Sequence, residues 1–227
     1  MVRHVFLTGP PGVGKTTLIQ KASEVLKSSG VLVDGFYTEE VRQGGRRIGF
    51  DVVTLSGLRG PLSRVGSEPP PGRRECRVGQ YVVDLPAFER LALPVLRNAG
   101  AGSGPGCRVC VIDEVGKMEL FSQPFTHAVR QTLSAPGTVV LGTIPVPKGK
   151  PLALVEEIRG RADVRVFSVV SGKMSCVLMA DACAWKCSDL GPNGATTHFM
   201  GSEKLEHRVV LETHLPDTDG LDTPCKT

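Results

Sequence analysis

Gly9, Pro10, Pro11, Gly12, Val13, Gly14, Lys15 and Thr16 spell G-x-x-x-x-G-K-[S/T] near the start of a chain of 227 residues. Glycines at these places let backbone N–H groups curl around an oxyanion without Cβ interference, and a helix beginning at the lysine adds positive potential. The ligand that such a loop suits is a phosphate chain. Lys15 would reach the β- and γ-phosphates and the Thr16 hydroxyl would ligate Mg²⁺, with Thr17 completing the nucleotide-binding stretch.

A second constellation lies in "VCVIDEVG". An acid at the end of an apolar strand is what a phosphate-binding loop needs to hold the hydration shell of magnesium, and Asp113 stands there. Glu114, one residue on, can take a proton from a water attacking the γ-phosphorus, which is general-base work worth about 10²–10⁴ in rate. Asp113 to Gly116 also spell D-x-x-G, the pattern of GTP switch proteins. Those proteins need an Asn/Thr-Lys-x-Asp guanine reader as well, and the sequence contains none.

Thr143, at the end of "VLGT", could sense the γ-phosphate or orient the water, or could be a satisfied strand-end threonine. Lys148, Lys150, Arg42, Arg46, Arg47, Arg59 and Arg64 are candidates for transition-state charge, and the sequence does not choose among them.

The elements that must position these residues alternate. "RHVFLT" is apolar without strict alternation, which suits a strand buried on both faces. Leu18, Ile19, Ala22, Val25 and Leu26 then recur at helical spacing up to a stop at Gly30. "VLVDGFYTEEVRQGGRRIGFDVVTL" reads as a hairpin turning at "QGG". Residues 59–79, rich in Pro, Gly and Arg, read as a surface loop. "DLPAFERLALPVLRNA" is a helix capped by Asp84, which Pro94 should kink or end early. "RVCVIDE" is a strand, "KMELFSQPFTHAVRQTLS" a helix, "TVVLGTIP" a strand, "PLALVEEIRG" a short helix and "DVRVFSV" a last strand. This succession predicts an α/β fold with a mostly parallel sheet covered by helices on both faces, and a β-hairpin insertion.

The composition sets limits. Hydrophobic residues at 41% and charged residues at 22% are those of a globular chain, while aromatics at 5% demand an aliphatic core. A net charge of +4 with arginines spread among acids does not indicate a nucleic-acid partner. No apolar run approaches the about 20 residues needed to cross a bilayer, so a soluble monomer is expected. Seven cysteines, an odd number, suit reduced thiols in the cytoplasm better than a disulfide framework. Cys107 and Cys110 have zinc-knuckle spacing, but Cys110 falls within an apolar strand, where a buried thiol is the simpler reading. Cys183, Cys187 and His198 give a fainter hint of the same kind.

The stretches "FLTGPPGVGKTTL", "GFYTEEVRQGGRRIGFDVVTL", "VIDEVGKMEL" and "GTIPVPKGKPL", in that order, resemble the small nucleoside-triphosphatase family first described from thermophiles. The resemblance covers residues 1–168. It implies a RecA-like P-loop fold and slow, Mg²⁺-dependent hydrolysis of ATP, GTP, CTP and UTP to the diphosphate and phosphate. Lys15 and Glu114 would then be the catalytic residues, with Thr16 and, through water, Asp113 at the metal. The alternatives are a small-molecule or nucleotide kinase using the same loop, and a nucleotide-binding protein inactivated by an altered tail. Residues 169–227 depart from the family's ending, which carries an Asn-Arg pair and a closing helix. This segment reads as a divergent, poorly ordered tail, the product of alternative splicing or read-through.

Overall fold

The computed structural model describes residues 2–67, 75–100 and 108–170. Its centre is three apolar strands, β1 (His4–Thr8), β7 (Arg108–Ile112) and β8 (Thr138–Thr143). On β1, Val5 and Leu7 face one helical layer and Phe6 the other; on β7, Val109 and Val111 oppose Cys110 and Ile112. Both sides of each strand are therefore covered, which is why the sequence shows continuous apolar runs there.

Helix α1 (Lys15–Ser28) covers one face through Leu18, Ile19, Ala22 and Leu26. It ends where Gly30 N–H donates to Lys27 O and Val31 N–H to Leu26 O. Helices α2 (Leu85–Gly100), α3 (Gln123–Ser134) and α4 (Ala153–Gly160) cover the other face. There Phe36, Phe88 and Phe125 meet edge to face, with ring centroids 5.0–6.0 Å apart.

The remaining strands are β2 (Leu32–Gln43), β3 (Arg46–Thr54), β4 (Arg59–Val65), β5 (Arg77–Val78), β6 (Tyr81–Val83) and β9 (Val164–Ser168). They complete one sheet in the order β5-β6-β4-β3-β2-β7-β8-β1-β9. From β2 to β9 the neighbours run parallel. On the other side of β2 all pairings are antiparallel. Strand β2 belongs to both halves: Leu32–Phe36 pair with β7, and Phe36–Gln43 continue beyond it to pair with β3.

The α/β fold is as the sequence predicts, with three local differences. The expected loop over 59–79 contains β4 and β5 and extends the hairpin into an antiparallel wing. Pairing of β4 with β3 and β6, and of β5 with β6, outweighs the Pro/Gly/Arg composition, and Pro61 is accommodated where the register slips between Phe50 and Asp51. Helix α2, capped as expected by Asp84 (Ala87 N–H to Oδ1, 3.0 Å), runs through Pro94. Pro94 and Arg90, whose carbonyl it leaves without a helical donor, both lie on the exposed side, where water can serve that carbonyl. The helix expected from Lys117 starts only at Gln123, because the Ser122 hydroxyl accepts from Phe125 N–H (3.1 Å) and caps it there; Glu119–Phe121 form a separate 3-10 turn. The expectations for the tail, including Cys183, Cys187 and His198, and for Cys107, lie outside the described residues.

His4, fully buried on β1, ties the layers together. Its Nδ1 accepts from Val140 N–H (3.0 Å), so Nε2 carries the proton and donates to Leu133 O (3.0 Å) at the end of α3. Arg3 and Arg161 donate to the same carbonyl. Burial, then the charge of Arg3, lowers the imidazole pKa from 6.5 to about 4. The unfolded chain therefore binds a proton that the folded one refuses between these values. The stability this residue contributes is fully present above pH 6.5 and is lost as pH drops toward 4, by on the order of 3 kcal/mol. Urea unfolding of the parent chain and a His4→Gln variant from pH 7.5 to 5 checks this: the variant should be less stable at pH 7.5, and its deficit should shrink as pH falls below 6.5.

Candidate active site

The loop between β1 and α1 turns through Gly12 (φ 78°) and Gly14 (φ 90°), left-handed conformations that favour glycine. At Gly9 the constraint is contact, since a Cβ there would lie 2.5 Å from the Val169 carbonyl oxygen. Val169 is buried just after β9, and its N–H donates to Thr8 O (2.7 Å). The floor of the loop thus depends on the last strand. Lys15 Nζ reaches across the loop to Gly9 O (2.9 Å) and Pro10 O (3.1 Å). Gly9, Pro11, Gly12, Lys15 and Thr16 line a cleft of about 780 Å³; Pro10, Val13, Gly14 and the exposed Thr17 do not.

The end of β7 brings acids to the same place. Asp113 is buried, and its Oδ1 accepts from the Thr143 hydroxyl (2.5 Å) at the end of β8. The Thr143 hydroxyl is therefore committed to Asp113. Oδ2 is buried without a hydrogen-bond partner among the described residues. Burial raises the Asp113 pKa, opposed by the Thr143 and Thr16 hydroxyls and by the charge of Lys15. Glu114 lines the cleft, and burial together with the Asp113 charge raises its pKa as well. Hydroxyl and carboxylate oxygens, one of them unpartnered, form a donor set that suits a hard divalent cation.

Two groups emerge here, one around Glu119, which sequence reasoning did not name, and one around Arg47, one of its basic candidates. Glu119, in the 3-10 turn, is buried and its Oε2 accepts from Gly116 N–H (3.0 Å). A Cβ on Gly116 would lie 3.0 Å from both Glu119 Oε2 and Glu114 Oε1, so glycine leaves room for two facing carboxyl groups. The only sequence signal was an acid inside the apolar turn "KMELF". The second group is Arg47 with Glu40, Phe50 and Tyr81 on the antiparallel wing, all lining the cleft. Of the other basic candidates, Lys148 and Lys150 line the cleft. Arg42 pairs with Glu40, Arg59 with Glu39 and Asp51, and Arg64 with Asp51. Among the described residues no cluster of His, Cys, Asp and Glu could hold a metal by itself, and no helix is long and apolar enough to cross a membrane.

A phosphate-curling loop after β1 and a buried carboxylate on β7, with β8 between them, define an α/β protein of the P-loop NTPase class. Residues 4–178 match the family model NTPase_1, described as NTPase, and the chain belongs to that family. It is similar to the cancer-related nucleoside-triphosphatase of Homo sapiens, with 86% identity over 169 residues, 74% of this chain and 89% of that protein. It is also similar to nucleoside-triphosphatase THEP1 of Thermotoga maritima, with 39% identity over 165 residues, 73% and 85% of the two chains. Two solved structures share the fold. The solution structure of a human cancer-related nucleoside triphosphatase has TM-score 0.68 and 79% identity, covering 81% of this chain and 97% of that one. The crystal structure of THEP1 from Aquifex aeolicus has TM-score 0.64 and 34% identity, covering 80% and 98%.

Glu119 provides a test of the site's electrostatics. Burial and then the Glu114 charge raise its pKa from 4.5 to about 8. Folding therefore favours the protonated acid: the stability it carries is fully present below pH 4.5 and is lost as pH rises toward 8. Glu119→Gln mimics the neutral acid and should stabilise the protein at pH 8 by on the order of 2–4 kcal/mol relative to the parent chain. At pH 5 it should change stability little. Paired denaturant titrations at the two pH values measure the difference.

Proposed function

We propose that this chain hydrolyses nucleoside 5′-triphosphates to the diphosphate and phosphate, with Mg²⁺ as cofactor. One observation carries the reading: Glu114, its pKa raised by burial and the Asp113 charge, stands on the wall of the cleft that Lys15 and Thr16 also line. In this reading the loop amides and Lys15 hold the triphosphate, and Glu114 takes a proton from the attacking water. The water oxygen bonds to the γ-phosphorus while the bond to the β–γ bridging oxygen breaks and the diphosphate leaves with the electron pair. Bound magnesium would be held by the Thr16 hydroxyl and, through water, by Asp113, and would supply positive charge to offset that of the triphosphate. Phosphates are common to all nucleotides, so recognition centred on the loop supports tolerance of ATP, GTP, CTP and UTP. Slow turnover fits Arg47, which is tied to Glu40 and Tyr81; an arginine supplied to the γ-phosphate is worth about 10³–10⁵.

Glu114→Gln is expected to bind Mg·ATP within about threefold of the parent while phosphate release falls by about 10²–10⁴. Lys15→Ala should lose binding. Phosphate release from the four triphosphates, alongside equilibrium binding, checks both; release by Glu114→Gln at the parental rate would sink the assignment.

The motifs of the family resemblance end by residue 168, which supports a divergent tail over 169–227, and the family model's match runs on to residue 178. Seven cysteines, an odd number, support a reducing, cytoplasmic setting. We place the functional boundary slightly later than Phe167, since Val169 buttresses Gly9. A chain shortened to end at Val170 should match the full chain in urea unfolding and phosphate release. One ending at Phe167 should lose about 2 kcal/mol or more, from the buried valine and its hydrogen bond.

A further inference from the structure

The cleft continues past Glu114 to a wall built from the antiparallel wing. Crossing the sheet from the P-loop strand β1, one meets β8, then β7 with Asp113 and Glu114, then β2, and only beyond it β3 with Arg47 and Phe50, and β6 with Tyr81. A triphosphate seated on Lys15 and Thr16 therefore has this wall on the side of Glu114, the side from which a nucleophile approaches. Water needs no aromatic wall.

Arg47 is fixed on that wall. Its guanidinium carbon lies 5.1 Å from the Phe50 ring centroid and 5.7 Å from that of Tyr81. In its plane, Nε donates to the Tyr81 hydroxyl (2.9 Å) and Nη1 to Glu40 Oε1 (2.7 Å). The Arg47 bond comes first among the causes holding the Glu40 carboxyl below the usual carboxylate range, which keeps the pair charged at neutral pH. Nη2 donates to nothing among the described residues. With 38% of the side chain exposed, the guanidinium is partly open on the cleft that it lines. Leu62 and Val78 make the surroundings apolar, and Lys148 and Lys150 bring positive charge to the same cleft. A braced guanidinium plane over aromatic rings suits stacking by a planar ring, and its free edge suits an anion.

We propose that this wall is a second ligand site, for a planar, anionic molecule of the nucleoside monophosphate class, occupied while the triphosphate fills the P-loop. The ring stacks on Arg47 and the phosphate takes Arg47 Nη2 and the cleft lysines. Filling the site puts the ligand in the path of the attacking water. The inference rests on the P-loop being the triphosphate's seat, as argued above.

The test is calorimetric titration of AMP, GMP, CMP and UMP into the full chain saturated with Mg²⁺ and a non-hydrolysable ATP analogue. At least one should bind without displacing the analogue. Arg47→Ala and Tyr81→Ala should weaken it by on the order of tenfold or more, Arg47→Lys should rescue only part of the loss, and affinity for the analogue should stay within threefold. Should Tyr81→Ala fail to fold, Tyr81→Phe keeps the ring and removes the brace to Arg47. With a hydrolysable triphosphate, the same monophosphate should lower phosphate release without raising KM, and Arg47→Ala should remove that effect. A monophosphate that binds only by displacing the analogue, that binds Arg47→Ala equally well, that leaves phosphate release unchanged, or that does not bind would each overturn the proposal. If the analogue itself fails to bind, the P-loop reading falls and this inference falls with it.

Discussion

A carboxylate in a protein interior is costly unless its charge is answered, and the site is organised around one such group, Asp113 at the end of β7. Thr143 answers one oxygen through a hydrogen bond, which requires β8 to lie next to β7. Thr16 and Lys15 oppose the effect of burial, which requires the P-loop to face the same strand end. Glu114 and Glu119 then crowd in: beyond burial, the Asp113 charge raises the pKa of Glu114, and the Glu114 charge that of Glu119. The charge of Lys15 partly answers Asp113 and Glu114, while burial favours the protonated form of Glu119. The chemistry of the cleft and the order of the central strands are thus parts of one electrostatic arrangement.

Strand β2 gives the cleft its second half. Its first residues lie in the parallel layer, where Phe36 locks against Phe88 of α2 and Phe125 of α3. Its later residues run past the end of β7 and carry the antiparallel wing beyond the parallel strands. The wing is held by its own charges: Asp51, nearly buried, accepts from both Arg59 and Arg64, which removes those arginines from the list of groups free to meet a substrate. Arg47 is left as the wing's arginine on the cleft wall, pinned rather than mobile.

Much of this was legible in the chain. The strand, glycine loop and helix at residues 4–28 are contiguous, and local chemistry specifies each: apolar residues without alternation, glycines where the backbone must turn, a lysine where the helix begins. Asp113 and Glu114 were legible because an acid after four apolar residues has no reason to be there except a partner. Strands β4 and β5 were not, because Pro, Gly and Arg argue for a loop and only the partner strands β3 and β6 supply the pairing that overrules them. Pro94 misled for the opposite reason, since its cost depends on which side of the helix faces water. Glu119 was hidden by its setting among helix-forming residues.

The sequence by itself determined the anion-binding loop, the acids at the end of β7 and the alternation that yields a covered parallel sheet, because each is written in neighbouring residues and the dihedral and burial demands they impose. Only the tertiary structure decided which hydroxyl holds Asp113, that Glu119 faces Glu114 across Gly116, that Val169 buttresses Gly9, and that Arg47 among the wing's arginines is braced at the cleft. Those outcomes depend on desolvation and charge acting through space, between residues brought together from strands far apart in the chain.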